Sequence, residues 1–189
     1  MRNYFLLAIP LLAASVPSLL RADALSVGSA TVGEGNFSLD VTITGASDVY
    51  AYQFDLTYDP TILQLTSIDE GPFLQSIGPT AFAPGGIDNT LGTATGTVDL
   101  FTGSGPGAAG DGTLATFNFQ AISYGTSAVN LANVVLLDSG FNPIEHSTSG
   151  GTVTVQGTSE VPEPQYTLLM GLGLAIPVLK SRLAAWRRG

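Results

Sequence analysis

The chain has 189 residues, of which 44% are hydrophobic and only 11% charged, and its formal net charge at pH 7 is −9. It contains no cysteine, which excludes disulfide bonds, thiolate chemistry and cysteine-based zinc sites. All six basic residues lie near the two ends, so no Lys or Arg occurs between Leu25 and Leu179. A region without fixed positive charge cannot neutralise phosphates, which argues against nucleic acid or an anionic membrane surface as its partner.

Residues 1–24 have the features of a secretory signal peptide. A basic start is followed by an apolar stretch over residues 5–20, and Ala22 and Ala24 fit the small-x-small pattern of a cleavage site. We predict cleavage after Ala24, which makes the protein an exported one. The alternative is a retained N-terminal membrane anchor, against which two helix-breaking prolines in the apolar stretch argue.

The central region, residues 25–157, consists of short runs in which apolar and polar residues alternate, separated by turn-forming residues. Alternation with period two places one set of side chains on one face of a strand. Strands are predicted over residues 37–43, 52–58, 62–68, 94–101, 114–122, 128–137 and 152–156. No run in this region has sustained helical periodicity. The pattern predicts an all-β domain, specifically a β-sandwich around one core.

One segment of this region, residues 71–93, is rich in Gly, Pro and Ala and predicts a long loop, which in a compact domain tends to be functional or mobile. Phe73, Phe82 and Phe101 lie in or beside irregular segments, so among the aromatic residues we expect these three as exposed contacts. The aromatic residues that alternate with polar ones on predicted strands are expected in the core: Tyr52, Phe54, Phe117 and Phe119.

Three runs in the body carry a family resemblance. AYQFDLTYDPTIL at 51–63 resembles the early strand pair of cohesin domains, GTLATFNFQA at 112–121 resembles their hydrophobic central strand, and DSGFNPI at 138–144 resembles the hairpin before their last strand. This resemblance implies a jelly-roll sandwich of about nine strands, a fold shared with carbohydrate-binding modules. It also implies a binding role, since cohesins bind dockerin modules, although this chain has no dockerin repeat of its own.

Catalytic chemistry has few residues to use. His146 is the only histidine, so a Ser-His-Asp arrangement would depend on it, and its polar neighbourhood beside a predicted turn suggests an exposed loop residue instead. A glycosidase with two carboxylates is compatible with the number of acids, but no aromatic-lined cluster suggests a substrate cleft. We therefore predict that the protein is not an enzyme.

Calcium is the one cofactor that the residue types suggest. Asp111, Asp138 and Asn142 lie in predicted turns, where backbone carbonyls can add to their hard oxygen ligands. The D-x-D-x-D-G pattern of a calcium loop is absent, and the alternative is that these side chains are solvated turn residues and caps.

The C-terminal region combines three features in order. A linker, residues 158–165, contains a Pro-Glu-Pro motif, and residues 166–189 are predicted as a transmembrane helix with a basic tail. The motif and the basic cluster comprise Val161, Pro162, Glu163, Pro164, Lys180, Arg182, Arg187 and Arg188. Fourteen apolar residues at 166–179 span about 21 Å as a helix. Continuing to Trp186 reaches the roughly 30 Å of a hydrocarbon core if the intervening basic side chains extend toward the interface.

This order resembles the PEP-CTERM sorting signal. The resemblance implies processing by an exosortase-type membrane protease, a precursor held in the inner membrane by the C-terminal helix, and final display in the envelope, outer surface or extracellular matrix. A simple tail anchor is the alternative. The sequence hypothesis is a non-enzymatic exported matrix protein associated with exopolysaccharide or biofilm. Its alternatives are a module that docks a dockerin-like or other secreted protein, and a carbohydrate-binding protein acting in polysaccharide breakdown.

Overall fold

The computed structural model describes residues 23–157. These residues form eleven strands and one short helix. In chain order the elements are β1 Asp23–Val27, β2 Ala30–Val32, β3 Gly35–Val49, β4 Ala51–Thr57, β5 Leu63–Glu70, α1 Pro72–Gln75, β6 Gly86–Asp88, β7 Thr93–Leu100, β8 Ala108–Ala121, β9 Gly125–Leu137, β10 His146–Ser149 and β11 Gly151–Val155.

The strands form two sheets that face each other across one core. The five-stranded sheet has the order β10-β1-β3-β8-β5, and the six-stranded sheet has the order β2-β11-β9-β4-β7-β6. All pairs are antiparallel except β1 with β10 and β2 with β11, which are parallel. The predicted all-β sandwich is therefore confirmed.

The core is built from the inward-facing residues of both sheets. Tyr52, Phe54, Phe117 and Phe119 are each at most 2% exposed, as their alternation with polar residues predicts. The rings of Phe54 and Phe117, from opposite sheets, have centroids 6.1 Å apart. Burying one such side chain contributes roughly 1.5–3 kcal/mol, so the interlocking aromatic residues are a major source of stability.

The strand number exceeds the expected nine because the two terminal strands of the body are each divided between the sheets. After β1 the chain passes Gly28 and Ser29, leaves the five-stranded sheet and continues as β2 in the six-stranded sheet. After β10 it passes Gly150 and makes the same change into β11. The two divided strands pair with each other in both sheets, β1 with β10 and β2 with β11. They therefore close one side of the sandwich.

Strand β1 overlaps the last two residues of the predicted signal peptide, residues 23 and 24. Ala24 lies inside β1, where it pairs with Thr44 of β3 and Ser147 of β10. Cleavage after Ala24 would remove the first two residues of this strand, including the buried Asp23. The position of the cleavage site stays a prediction, and Ala22 lies outside the described residues.

The predicted long loop at 71–93 is an ordered flap over one end of the core. It contains α1 and β6, and Ala83 exchanges two backbone hydrogen bonds with Val98, of 2.9 and 3.0 Å. Phe73 and Phe101 are only 5% and 4% exposed, and Phe82 is half-buried against the core. The expectation that these three rings are exposed is therefore wrong, because backbone pairing to the sheet edge draws irregular chain onto the core.

Three of the four sheet edges are short. β2 and β6 border the six-stranded sheet with three residues each, and β10 borders the five-stranded sheet with four. The fourth edge, β5, has eight residues, but its register shifts between Leu65 and Ser67 and it carries the exposed Asp69.

The two ends that carry the predicted processing signals, residues 1–22 and 158–189, lie outside the described residues. This applies to the signal peptide, the Pro-Glu-Pro motif, the predicted transmembrane helix and the basic cluster. Between residues 23 and 157, no helix is long and apolar enough to cross a membrane.

Candidate functional site

The outer face of the six-stranded sheet carries a shallow apolar groove. Its lining comes from three adjacent strands of this sheet, β9, β4 and β7: Ala51, Tyr52, Gln53, Val98, Val135 and Leu137. Val135 of β9 is 42% exposed and lies across Gln53 from Val98, so the apolar side chains of neighbouring strands share one face. The groove, hereafter the β4-β7-β9 groove, is therefore an apolar surface that the described residues leave uncovered.

Alternation along β4 produces this groove. Because successive side chains of a strand point to opposite faces, Tyr52, Phe54 and Leu56 enter the core, whereas Gln53 points outward. Gln53 pairs with Val98 on one side and Val135 on the other. A polar side chain between two valines gives the groove a hydrogen-bonding group at its centre.

An aromatic cluster borders the end of the groove near Leu137. The ring of Phe141 is 60% exposed and contacts Tyr50 edge to face, with centroids 5.5 Å apart. Tyr50 contacts the buried Phe101 in the same way at 5.3 Å, and its hydroxyl donates to the Gly103 carbonyl at 2.9 Å. Tyr50 is also fixed by its backbone, since its N–H donates to the Leu137 carbonyl. The exposed Phe141 is thus supported by a rigid base.

Asp55 holds the strands on both sides of β4, next to the groove. Its carboxylate accepts hydrogen bonds from the Gly96 N–H at 2.7 Å and from the Asn133 side chain at 2.6 Å. Both partners have positive φ, 73° for Gly96 and 48° for Asn133, and both lie where the register of β4 with its neighbour shifts. One carboxylate therefore holds two bulges on neighbouring strands and stiffens the face beside the groove.

Of the three predicted calcium ligands, the structure brings two together. Asp138 accepts hydrogen bonds from the backbone N–H groups of Asn142 and Gly140, both at 2.8 Å, and from the Asn142 side chain. These hydrogen bonds lower the pKa of Asp138, and those from Asn142 have the largest effect. They form an Asx-type turn that accounts for the carboxylate without a metal. Calcium binding here stays a prediction.

The third predicted ligand, Asp111, is not in a turn. It lies in β8, where its carboxylate accepts a 2.7 Å hydrogen bond from the Gly45 N–H of the neighbouring strand β3. Glycines such as those on both sides of Asp111 are common in turns, but here they lie where the register of β8 with β3 shifts. Residues 23–157 contain no group of three or more His, Asp or Glu side chains that could hold a metal ion.

His146 begins a strand and is half-buried, where an exposed loop position was expected. Its Nδ1 lies 2.9 Å from the Ile144 carbonyl oxygen, and its neighbour in register is Asp23 of β1. Burial raises the pKa of Asp23, and the nearby imidazole acts in the opposite direction. The pair therefore joins the two ends of the body at a sheet edge, away from the β4-β7-β9 groove.

Comparison with known proteins gives a consistent result. Similar solved structures include a non-cellulosomal cohesin from Archaeoglobus fulgidus, which is 21% identical with a TM-score of 0.59 and covers 74% of this chain and 95% of its own. The sixth cohesin of Acetivibrio cellulolyticus scaffoldin B, solved with a Cel5 dockerin, is 20% identical with a TM-score of 0.59 and coverages of 72% and 100%. CaCohA2 from Clostridium acetobutylicum is 20% identical, with a TM-score of 0.56 and coverages of 73% and 93%.

At these identities the three structures establish the fold and not the ligand. No curated protein matches the chain significantly. The sequence model of the Cohesin domain family matches residues 24–155. This range includes all eleven strands, except for the first residue of β1. Because this match spans more than half of the sequence, the chain belongs to the cohesin domain family.

Proposed function

We propose that the domain is a non-catalytic docking module that binds a secreted protein partner through the outer face of the six-stranded sheet. Family membership is the observation that carries this proposal, because cohesin domains are docking modules and several structural neighbours were solved in complexes with dockerins. The β4-β7-β9 groove supplies the surface: it is apolar, uncovered among the described residues and held rigid by Asp55.

The chemistry of this face sets the kind of partner. Val98, Val135 and the rim residue Phe141 offer apolar contact, while Gln53 offers one donor and one acceptor group at the centre. The body has no Lys or Arg, so any charged contacts must come from basic groups of the partner meeting acids of this chain. A partner with an apolar ridge flanked by Lys or Arg fits these features.

A charge placed in the groove is the direct test. Val135→Asp puts a carboxylate at the centre of the apolar surface and is expected to reduce partner binding at least about 30-fold, as loss of a central interface residue costs about 2 kcal/mol or more. Ile122→Asp is the matched control, because Ile122 is 39% exposed, compared with 42% for Val135, but lies outside the groove lining. Both side chains point to solvent, so neither change should greatly lower the melting temperature.

The measurement is capture of proteins from the culture supernatant of the source organism, followed by titration of the captured partner against the purified variants. Support would be a protein that binds wild type and Ile122→Asp equally and Val135→Asp weakly. Equal binding to all three forms would place the interface elsewhere. Recovery of polysaccharide alone would reject protein docking.

The carbohydrate-binding alternative has less structural support. Sugar binding commonly uses aromatic rings arranged as a platform, and among residues 23–157 the strongly exposed rings are Tyr124 and Phe141. They lie at opposite ends of β9, roughly 40 Å apart along an extended strand. The described residues therefore lack a shared platform, and association with exopolysaccharide or biofilm belongs to the wider proposal for the whole chain.

We further propose that the chain is exported and sorted as its two ends suggest. Support comes from the sequence of those ends and from the family, whose members are typically extracellular or cell-surface modules. Mass spectrometry of the surface-released form is expected to show a start near Ala24 and an end near Pro164. Detection of the intact tail, residues 166–189, on the released protein would contradict processing by an exosortase-type protease.

A further inference from the structure

An acidic side chain lies completely inside the sandwich. Asp99 of β7 is 0% exposed, although its neighbours Val98 and Leu100 point toward the outer face. One carboxyl oxygen accepts a 2.9 Å hydrogen bond from the Leu100 N–H. The other, Oδ2, has no donor among the residues that the structure describes. A buried carboxylate with an unpartnered oxygen carries a large desolvation cost, so something must compensate it.

The group that faces Asp99 is a second acid from the opposite sheet. Glu70, at the end of β5, and the Tyr52 hydroxyl of β4 both lie within hydrogen-bonding reach of Asp99. The Tyr52 hydroxyl donates to the Leu114 carbonyl of β8. Glu70 accepts a hydrogen bond from Thr80 of the flap at 71–93. The acid pair therefore joins both sheets and the flap at one end of the core.

Residues 23–157 offer no Lys or Arg to neutralise this pair. Their only histidine, His146, begins β10 at the opposite edge of the five-stranded sheet from β5. Two ionised carboxylates within hydrogen-bonding reach repel each other strongly where burial lowers the dielectric constant, and here Asp99 is fully buried and Glu70 half-buried. A proton on one of them removes the repulsion and supplies the missing donor to the other.

We propose that protonated Asp99 donates a hydrogen bond to Glu70 and so acts as a clamp between the two sheets, which holds the flap-covered end closed at acidic pH and loosens it at neutral and higher pH. The clamp concerns the interior of the domain and does not depend on the proposed docking activity.

The direction of the pH effect follows from the burial of Asp99. Burial, together with the charge of Glu70, raises the pKa of Asp99 to about 6. The folded state therefore binds more protons than the unfolded state between the ordinary value of 3.8 and about 6. The stabilisation is complete below the ordinary value and is lost as the pH rises through about 6, so the clamp contributes most to stability in acid.

The test compares melting temperatures of the full chain, in mild detergent, from pH 4.5 to pH 8. The wild type is expected to lose roughly 5 °C or more over this range. Asp99→Asn supplies a donor at every pH and should remove most of that decline, so that it melts above the wild type at pH 8. Glu70→Gln should also flatten the profile, whereas Glu34→Gln, a change at an exposed acid, should keep the wild-type slope.

Two further measurements test the clamp, and the first needs only the wild-type protein. Carbon-13 NMR of the wild-type carboxyl groups should show Asp99 titrating well above an ordinary aspartate, and an ordinary titration would overturn the clamp. Addition of CaCl₂ at pH 8 should leave the wild-type melting temperature no more changed than that of Glu34→Gln. A calcium-dependent rise that Asp99→Asn abolishes would show that a cation, and not a proton, neutralises the pair.

Discussion

Replacing Gly151 by alanine is expected to destabilise the domain by about 3 kcal/mol or more, one of the largest effects of any single methyl group in this protein. An ideal Cβ at Gly151 would lie 2.1 Å from the Gly28 carbonyl oxygen and 2.9 Å from that of Val27. These are backbone atoms at the point where both divided strands change sheets, so no side-chain rotation relieves the overlap. The strands must separate, which breaks the parallel pairing of β2 with β11.

Gly33→Ala is the matched control, because a Cβ there would meet nothing within 4 Å and the residue is exposed. Thermal and urea unfolding of the two variants should differ by roughly 10 °C in midpoint temperature. Equal midpoints would mean that the backbones at Gly28 and Gly151 can separate at little cost, which would contradict this prediction.

The second large effect is expected at Asn89, where alanine should cost about 2–4 kcal/mol. The Asn89 side-chain oxygen accepts hydrogen bonds from the Tyr58 hydroxyl and from the Leu65 N–H, both at 2.7 Å. Its amide nitrogen donates to the Leu65 carbonyl at 3.0 Å. The side chain thus pairs with the bulged strand β5 as another strand would. Its removal leaves both backbone groups of the buried Leu65 without these partners.

Two other substitutions separate the lost hydrogen bonds from general effects. Asn89→Asp keeps the acceptor and loses the donor, so its unfolding free energy should fall between those of wild type and Asn89→Ala. Asn36→Ala, at an exposed position of β3, removes an amide of the same size and should change the free energy by less than about 0.5 kcal/mol. If urea unfolding gives Asn89→Ala the same free energy as Asn36→Ala, the proposed pairing of the Asn89 side chain with β5 is wrong.

Alternation of apolar and polar residues predicted the existence of the long strands, because successive side chains of a strand point to opposite faces whatever the strand pairs with. In β4 the predicted bounds, 52–58, differ from the observed ones by one residue at each end, because each inward position is apolar. The prediction for β8, 114–122, found its apolar second half but missed the first six residues, which are rich in Gly and Ala and half of which are exposed. The short strands β1, β2, β6 and β10 escaped prediction for the opposite reason. With three to five residues each, they are too short to show a period, and they are strands only because distant parts of the chain pair with them.

The candidate site shows the same limit. Alternation places Gln53 on the face opposite Tyr52, so the outward position could be predicted from sequence. Its apolar neighbours Val98 and Val135 depend on register across three strands, which two bulges alter. The role of Asp55 in holding those bulges leaves no pattern in the sequence, because its partners lie 41 and 78 residues away.

The short edges of the two sheets bear on how the domain behaves when many copies are crowded together. An open strand edge is a template on which another chain can add by backbone pairing, which is the first step toward fibrils. Here β2, β6 and β10 offer only three or four residues each. A body with no Lys or Arg also repels its own copies. A densely displayed array should therefore stay as separate folded units, each free to meet its partner.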